Sequence, residues 1–317
     1  MPGHRGVRRL LSAALVAAAL LFVGIAIARN ADQLRAFEWR PDLPLLLISI
    51  PLHTLVLAWG VWVWGRVLVR FEGGHASLPQ LQRIWFLSGV ARYIPGKVWQ
   101  FVAVADLAER AGLSRVLLLT SMIIQMAFTL LAAALLAAAT LPLPLIGIDV
   151  GPAIATAVAA LIALLLVHPA LLNAVLRLVP RTMHRDVLTW RGGWMDGIAL
   201  LAMSVLSWLF YGAAFHLFVA SLTPVPLDAL PTLAGVNALA FAAGYLAVLA
   251  PAGLGVREGA MTVLLSPLLP LGVAAVVSAL ARLWTIGAEL LGALLFVRWR
   301  GTPVARTGAD GEDPGQP

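Results

Sequence analysis

The chain has 317 residues, of which 61% are hydrophobic and 12% are charged, with a formal net charge of +7. A soluble globular protein is roughly half apolar and a quarter charged, so this composition excludes an ordinary water-soluble domain. The chain contains no cysteine, which excludes disulfides and cysteine-ligated clusters. No nucleotide-binding or metalloprotease motif occurs either, so we expect no cofactor, no metal and no catalytic residues.

Apolar stretches long enough to cross a bilayer recur along the chain, since about 20 helical residues span a hydrocarbon core of roughly 30 Å. Backbone groups in lipid must bond within their own segment, so we predict an all-α integral membrane protein with about eight transmembrane helices. In chain order the predicted crossings are residues 10–28, 43–64, 116–140, 152–172, 195–221, 232–250, a short 260–271, and 272–297. The short segment contains Pro267 and Pro270, and we expect a half-helix or the return limb of a re-entrant hairpin.

The cations predict the orientation, because lysine and arginine resist translocation. They gather before the first crossing, in alternate loops and after the last crossing, so we predict a bacterial inner-membrane protein with both termini in the cytoplasm. Arg257 is among the cations that this scheme places on the cytoplasmic side. Residues 1–300 would form one polytopic membrane domain, and residues 301–317 a disordered cytoplasmic tail. The positive charge is expected to face anionic lipid headgroups and not nucleic acid.

The apolar pattern is interrupted first within residues 83–112. A short apolar run is cut by an arginine, turned by a Pro-Gly pair that would break a helix, and resumed as an amphipathic piece. Aromatic residues of the kind that favour the headgroup layer flank the turn. The candidate lipid-binding residues of this segment are Arg92, Tyr93, Pro95, Gly96, Lys97 and Trp99.

A second interruption lies in residues 244–259, where glycines are dense enough for the backbone to leave helical geometry or approach a ligand closely. Its candidate residues are Pro251, Gly253, Gly255, Arg257 and Glu258. The two breaks lie about half the chain apart, and such paired interruptions point to the binding site of a repeat-built transporter. The alternative is that both are cytoplasmic turns whose cations only set the topology.

The last crossing carries Arg282 and Glu289, which lie two helical turns apart and therefore on nearly one face. A charge near the bilayer centre costs about 2.5–3.5 kcal/mol on insertion scales, so it normally faces a cavity or a partner. The alternative for Arg282 is a purely structural salt bridge, for instance with Glu258. We expect His53 and His216 to make polar packing contacts, and Gln125 and Asn237 to make interhelical hydrogen bonds.

The string Arg-Tyr-Ile-Pro-Gly-Lys-Val-Trp at residues 92–99 and the string Pro-Ala-Gly-Leu-Gly-Val-Arg-Glu-Gly at residues 251–259 resemble a known family. This family is the membrane domain of bacterial lysylphosphatidylglycerol synthases, the flippase-like part of the multiple peptide resistance factor, and the resemblance covers roughly residues 8–300. It implies a protein that moves or handles charged or glycosylated lipids between leaflets. Full-length synthases also carry a C-terminal aminoacyl-transferase domain, which this sequence lacks, so we expect a stand-alone member that is not an enzyme.

We therefore expect a lipid flippase-like protein that binds and translocates an anionic, aminoacylated or glycosylated lipid, with a membrane phospholipid or lipid-linked sugar as its partner. One alternative is a non-transporting scaffold or regulatory subunit for a lipid-modifying or glycosyltransferase enzyme in the membrane. Another is a small-solute permease, which would need a closed, water-filled path instead of a groove open to lipid. A homo-oligomer is compatible with each of these alternatives.

Overall fold

In hydrocarbon, backbone N–H and C=O groups have no water to bond and must bond to one another. In this chain they do so within helices. The computed structural model describes residues 25, 28–29, 31–91, 98–141, 144, 147, 150–178, 188–247, 253 and 255–297. Across these residues the regular structure is helical, apart from one isolated bridge between Phe71 and Trp190. The predicted crossing at 10–28 lies almost wholly outside the described residues, and the predicted tail at 301–317 lies entirely outside them.

The described part of the chain contains eleven α-helices, numbered here in chain order. They are α1 Ala31–Ala36, α2 Leu43–Leu68, α3 Leu78–Val90, α4 Val98–Arg110, α5 Arg115–Thr140, α6 Pro152–Leu166, α7 Pro169–Leu178, α8 Trp194–Ala220, α9 Leu230–Leu246, α10 Val256–Leu265 and α11 Leu271–Val297.

Five helical stretches are long and apolar enough to cross a membrane: α2, α5, α8, α9 with the short turn before it, and α11. The bent pair of α6 and α7 makes a sixth if it is counted as one span. An all-helical protein with several membrane spans is thus confirmed. The count of eight is not, since the described residues give five or six.

The crossing predicted at 152–172 is not one continuous helix, and it counts as a span only if the bent pair α6 and α7 is taken together. Helix α6 ends at Leu166, α7 begins at Pro169, and the two axes meet at 62°. Proline disfavours helical geometry in the residue before it and cannot donate to the preceding turn, so the chain bends at His168. The crossing predicted to end at residue 250 also stops earlier, because α9 ends at Leu246.

One end of the bundle, called the basic end, carries Arg66, Arg70, Arg110, Arg115 and Arg191. Helices α2 and α8 are fastened to each other there. The Arg70 guanidinium lies 2.7 Å from the Asp196 carboxylate, and Arg191 lies 2.6 Å from Glu72. The backbone N–H of Arg191 also donates to the carbonyl of Arg70 at 2.8 Å. The loops on this side therefore hold the ends of two long helices in register.

Helices α3 and α4 form a hairpin that enters the bundle from the basic end. Each has 13 residues and is about 20 Å long, too short to cross the bilayer. Helix α3 follows the loop after α2, and α4 leads directly into α5 at Arg115, so both open ends of the hairpin lie on the basic side. Helix α3 packs on α2 and α11, and α4 packs on α5.

Helices α9 and α10 form a second hairpin, which enters from the opposite end. Helix α9 follows the end of α8, and α10 leads into the start of α11. Helix α10 has ten residues and lies antiparallel to α11, where the Thr262 Oγ1 donates to the Ser278 Oγ at 3.2 Å. The ten-residue helix covers residues 260–265 of the short segment predicted at 260–271.

Close helix packing depends on small residues at particular crossings. A Cβ built on Gly292 of α11 would overlap the ring of Phe86 from α3, and this ring is 2% exposed and stacked on Phe296 at 5.5 Å. Gly287 on the same helix has no such neighbour within 4 Å. Gly292 therefore sets how closely the first hairpin approaches α11.

We predict that Gly292→Ala lowers the thermal unfolding midpoint of the detergent-solubilised protein, because the Phe86 ring has no room to retreat. Overpacking of a tight core costs about 1–3 kcal/mol. Gly287→Ala is the matched control, and it should leave the midpoint unchanged or raise it, since alanine favours a helix over glycine by about 1 kcal/mol. Equal midpoints for the two variants would contradict the packing of α3 on α11.

Candidate functional site

A cavity of about 380 Å³ lies inside the bundle where the two hairpins reach furthest. Helices α2 to α5 and α8 to α11 all contribute side chains to its wall. From the first hairpin come Trp85, Gln100 and Phe101; from the second come Phe241, Gly244, Tyr245, Gly253 and Arg257. The two chain breaks predicted from the sequence thus border one cavity, although they enter from opposite ends.

The N-terminal ends of two half-helices lie at this cavity. Gln100 and Phe101 belong to the first turn of α4, and Arg257 is the second residue of α10. The first turn of a helix presents N–H groups without intrahelical partners and the positive end of the helix dipole. Such ends favour anionic groups, and discontinuous helices in transporters use them in this way.

Glycines allow the end of α9 and the start of α10 to pack closely at the second break. A Cβ on Gly244 would lie 2.7 Å from the Cβ of Arg257, and a Cβ on Gly253 would lie 2.6 Å from the Gly244 carbonyl oxygen. Gly253 and Gly255 also have φ angles of 69° and 82°, which L-amino acids with side chains rarely adopt. Any side chain at Gly244 or Gly253 would push the start of α10 away from α9.

Helix α10 is capped by one of its own carboxylates. The Glu258 Oε2 accepts a hydrogen bond from the backbone N–H of Gly255 at 2.7 Å. A carboxylate in the first turn satisfies one unpaired donor and interacts favourably with the helix dipole. Glu258 is therefore fixed in position, and so is the charge that it presents to its neighbours.

Four ionisable side chains form a cluster here, called the charge cluster: Arg257, Glu258, Arg282 and Glu289. Arg257 donates to the Tyr211 hydroxyl at 3.4 Å, and it interacts electrostatically with both glutamates. The Arg282 guanidinium lies 3.6 Å from the Glu258 carboxylate. Arg257, Glu258 and Glu289 are each 8% exposed or less. Buried charges need opposite partners, and the cluster supplies two cations and two anions.

The predicted cytoplasmic position of Arg257 is wrong. Arg257 lies inside the bundle, at the level of the middle of α11, because α10 runs back along α11 and pairs Glu258 with Arg282. The positive-inside rule places it incorrectly, since that rule describes cations in loops and not those paired within the protein. The salt bridge of Arg282 with Glu258, considered as an alternative from the sequence, is present.

The predicted site residues fall into three sets: residues at the cavity, one residue of α4, and residues outside the described part of the chain. Gly253, Arg257, Arg282 and Glu289 line the cavity, and Gly255 and Glu258 adjoin it. Trp99 is half-buried in α4 beside Gln100. The predicted residues that lie outside the described part of the chain are Arg92, Tyr93, Pro95, Gly96, Lys97 and Pro251.

Sequence reasoning missed an aromatic wall on one side of the cavity, formed by Trp208, Tyr211, Phe241 and Tyr245. The only sequence signal for it is helical spacing, which places each pair of aromatics on one face of α8 or α9. Core packing gives the same pattern, so the spacing alone does not identify a site.

Three polar side chains differ from their predicted roles. Gln125 lines the cavity and donates to Thr129 one turn along the same helix, at 3.4 Å, so this bond is not interhelical. Neither amide atom of Asn237 has a hydrogen-bond partner among the described residues. His53 stacks on Trp284 at 4.0 Å and on Tyr211 at 4.4 Å, so its contacts are aromatic. His216 contacts the Pro226 carbonyl oxygen at 3.1 Å, which is the polar contact expected of it.

One family model matches most of the chain. It is described as the lysylphosphatidylglycerol synthase TM region, and it covers residues 9–292. The match includes both hairpins, the cavity and the whole charge cluster. No curated protein matches the chain.

We predict strong coupling between Glu258 and Arg282 in a double-mutant cycle of unfolding free energies measured in detergent. Glu258→Gln keeps an acceptor for Gly255 and removes only the charge. Each single variant, Glu258→Gln or Arg282→Gln, should cost about 3–5 kcal/mol, because it unbalances the buried charges of the cluster. The double variant should cost less than the sum by about 1–3 kcal/mol.

The matched control is the solvent-exposed pair Asp106 and Arg110 on α4, where the same cycle should give a coupling of about 0.3–0.5 kcal/mol. Additive effects at Glu258 and Arg282 would show that the two charges do not stabilise each other in the folded protein.

Proposed function

The chain belongs to the family of lysylphosphatidylglycerol synthase transmembrane regions, and we propose that it moves a lipid between the two leaflets of a membrane. The lipid is an anionic, aminoacylated or glycosylated one. In this proposal the headgroup binds in the central cavity while its acyl chains remain in the bilayer. The chain acts as a carrier and performs no covalent chemistry on the lipid.

The observation that carries the proposal is the meeting of two half-helix N-termini and two arginines at one cavity within an apolar bundle. A phosphodiester headgroup has the complementary charge. Backbone N–H groups and guanidinium groups are the donors that phosphate oxygens accept most strongly. A cavity that served only to pack helices would have no need of buried cations, which are costly in a membrane.

The shape of the cavity supports a lipid as the substrate. Tyr245 lines the cavity and is 39% exposed, which supports a cavity that opens at the surface of the bundle beside α9. A headgroup could enter there without its chains leaving hydrocarbon. A permease for small solutes would instead need a path closed to lipid along its whole length.

The two hairpins suggest how access could alternate. One enters from the basic end and the other from the opposite end, and described residues of both line the same cavity. Movement of one hairpin would open the cavity toward one leaflet, and movement of the other toward the second leaflet. We place the basic end in the cytoplasm of a bacterial cell, because its arginines would face the anionic inner leaflet.

The test is a leaflet-sidedness assay in vesicles reconstituted with the full chain and a fluorescent phosphatidylglycerol, with dithionite added outside. The wild type should speed the exchange of label between leaflets. Arg257→Ala and Arg282→Ala should slow it at least about tenfold, since a hydrogen bond to a charged group contributes about 1.5–3 kcal/mol. Arg110→Ala, which removes an exposed arginine of the basic end, should leave the rate unchanged.

Two outcomes would count against the proposal in different ways. If the Arg257 and Arg282 variants flip the lipid as fast as the wild type, the headgroup site is misplaced. If the wild type is no faster than vesicles without protein, and instead copurifies with a lipid-modifying enzyme, a scaffold or regulatory subunit becomes the better description.

A further inference from the structure

We infer that the cavity holds a second subsite, beside the phosphate subsite at Arg257 and Arg282, that selects a polyhydroxy ring. The substrate would then be a phospholipid whose phosphate carries a sugar or a cyclic polyol. This inference rests on the proposed function for the phosphate, and it assigns the part of the headgroup beyond it.

The aromatic wall provides the face for such a ring. Trp208 and Tyr211 are parallel within 4°, with centroids 5.4 Å apart. Phe241 packs edge-on against Trp208 at 5.3 Å and stacks with Tyr245 at 6.0 Å. The wall therefore runs from the deeply buried Trp208 to the partly exposed Tyr245. Sugars stack their C–H faces on aromatic rings, whose faces are electron-rich.

Tyr211 joins the two subsites. Its ring continues the wall, and its hydroxyl accepts the hydrogen bond from Arg257 at 3.4 Å. A phosphate bound at Arg257 would thus place the next group of the headgroup over the aromatic wall. The Trp208 indole is held in place by donating to the Thr129 carbonyl at 2.9 Å, so the wall is fixed before a ligand arrives.

Polar groups around the wall match hydroxyls. Gln100, Gln125, Thr129 and Ser207 line the cavity with it. Gln125 is 7% exposed, and its Oε1 accepts no hydrogen bond from any described residue. Its Nε2 donates to the Thr129 hydroxyl. Leaving a buried acceptor without a donor destabilises the folded protein, so a donor from a ligand is favoured there. Phosphodiester oxygens have no hydrogen to donate to it, whereas a ring hydroxyl has one.

An ammonium group would also donate, but the charges of the described residues give it no free anion. The cavity wall carries Arg257, Arg282 and Glu289, and Glu258 beside it completes a cluster of two cations and two anions. The two carboxylates already compensate the two arginines. A neutral ring with hydroxyls needs no anion, and it uses both the aromatic faces and the carboxamides.

The test uses short-chain lipids with identical tails, titrated into the detergent-solubilised full chain by calorimetry: dioctanoyl phosphatidylinositol, phosphatidylglycerol and phosphatidylcholine. The wild type should bind phosphatidylinositol at least about tenfold more tightly than phosphatidylglycerol, and phosphatidylcholine most weakly. Trp208→Leu should remove this preference and keep the phosphatidylglycerol affinity, which also reports that the variant is folded.

Tyr245→Leu serves as a second variant, because its side chain is half-exposed and its loss opens no core; it should reduce the preference several-fold. Phe210→Leu, an aromatic of α8 that is 42% exposed and outside the cavity, should bind all three lipids like the wild type. Free inositol 1-phosphate should bind far more weakly than the tailed lipid. Equal affinity for the free compound would overturn the lipid as its source.

Equal wild-type affinities for phosphatidylinositol and phosphatidylglycerol would overturn the ring subsite, and so would tightest binding of phosphatidylcholine, which would mark an ammonium cage. These results are distinguishable from failure of the proposed function. If flipping still depends on Arg257 and Arg282 but shows no preference for the ring, only the subsite is wrong. If no lipid binds and none is flipped, both proposals fail.

Discussion

The rest of this structure depends on keeping four charged side chains in the interior of an apolar bundle. Removing an ion from water costs several kcal/mol, and hydrocarbon provides no polar interaction that compensates for this cost. The charge cluster meets this requirement with two cations, two anions, a tyrosine hydroxyl and the N–H of Gly255. Each of these partners comes from a particular helix at a particular depth. The cluster therefore fixes how α8, α10 and α11 lie relative to one another.

The chain breaks follow from the same requirement. An unbroken span would carry Arg257 past the middle of the bundle, whereas a helix that begins at Val256 delivers both the arginine and its own N-terminal N–H groups to that point. Backbone outside a helix is tolerated at this depth only where protein shelters it or a cavity hydrates it. Here Gly244 and Gly253 pack backbone against backbone, and the cavity lies beside them. The break thus places charged side chains in the interior of a bundle that lipid surrounds.

Much of this architecture can be predicted from the sequence. Hydropathy locates α2, α5, α8 and α11 within a few residues, since burial in lipid leaves little freedom of composition. Proline and glycine locate the second break. The depth of Arg257 in the bundle cannot be predicted from the sequence, because it depends on the antiparallel pairing of α10 with α11. The aromatic wall cannot be predicted either, because Trp208 and Phe241 come from different helices. Within each helix the aromatic residues have the spacing of ordinary core residues.

In the proposed function, the charge balance of the cluster also limits how tightly a headgroup binds. A phosphate that approaches Arg257 competes with carboxylates that already compensate that arginine, so the gain in binding is the difference between two similar interactions. Such a site can accept a headgroup without trapping it, which any conduction or transport process requires. Selectivity then has to come from contacts that do not compete with the protein's own ion pairs. Trp208, Phe241 and Gln125 meet that condition, because they lie beside the charges and are not partners of the cluster, whereas Tyr211 accepts from Arg257.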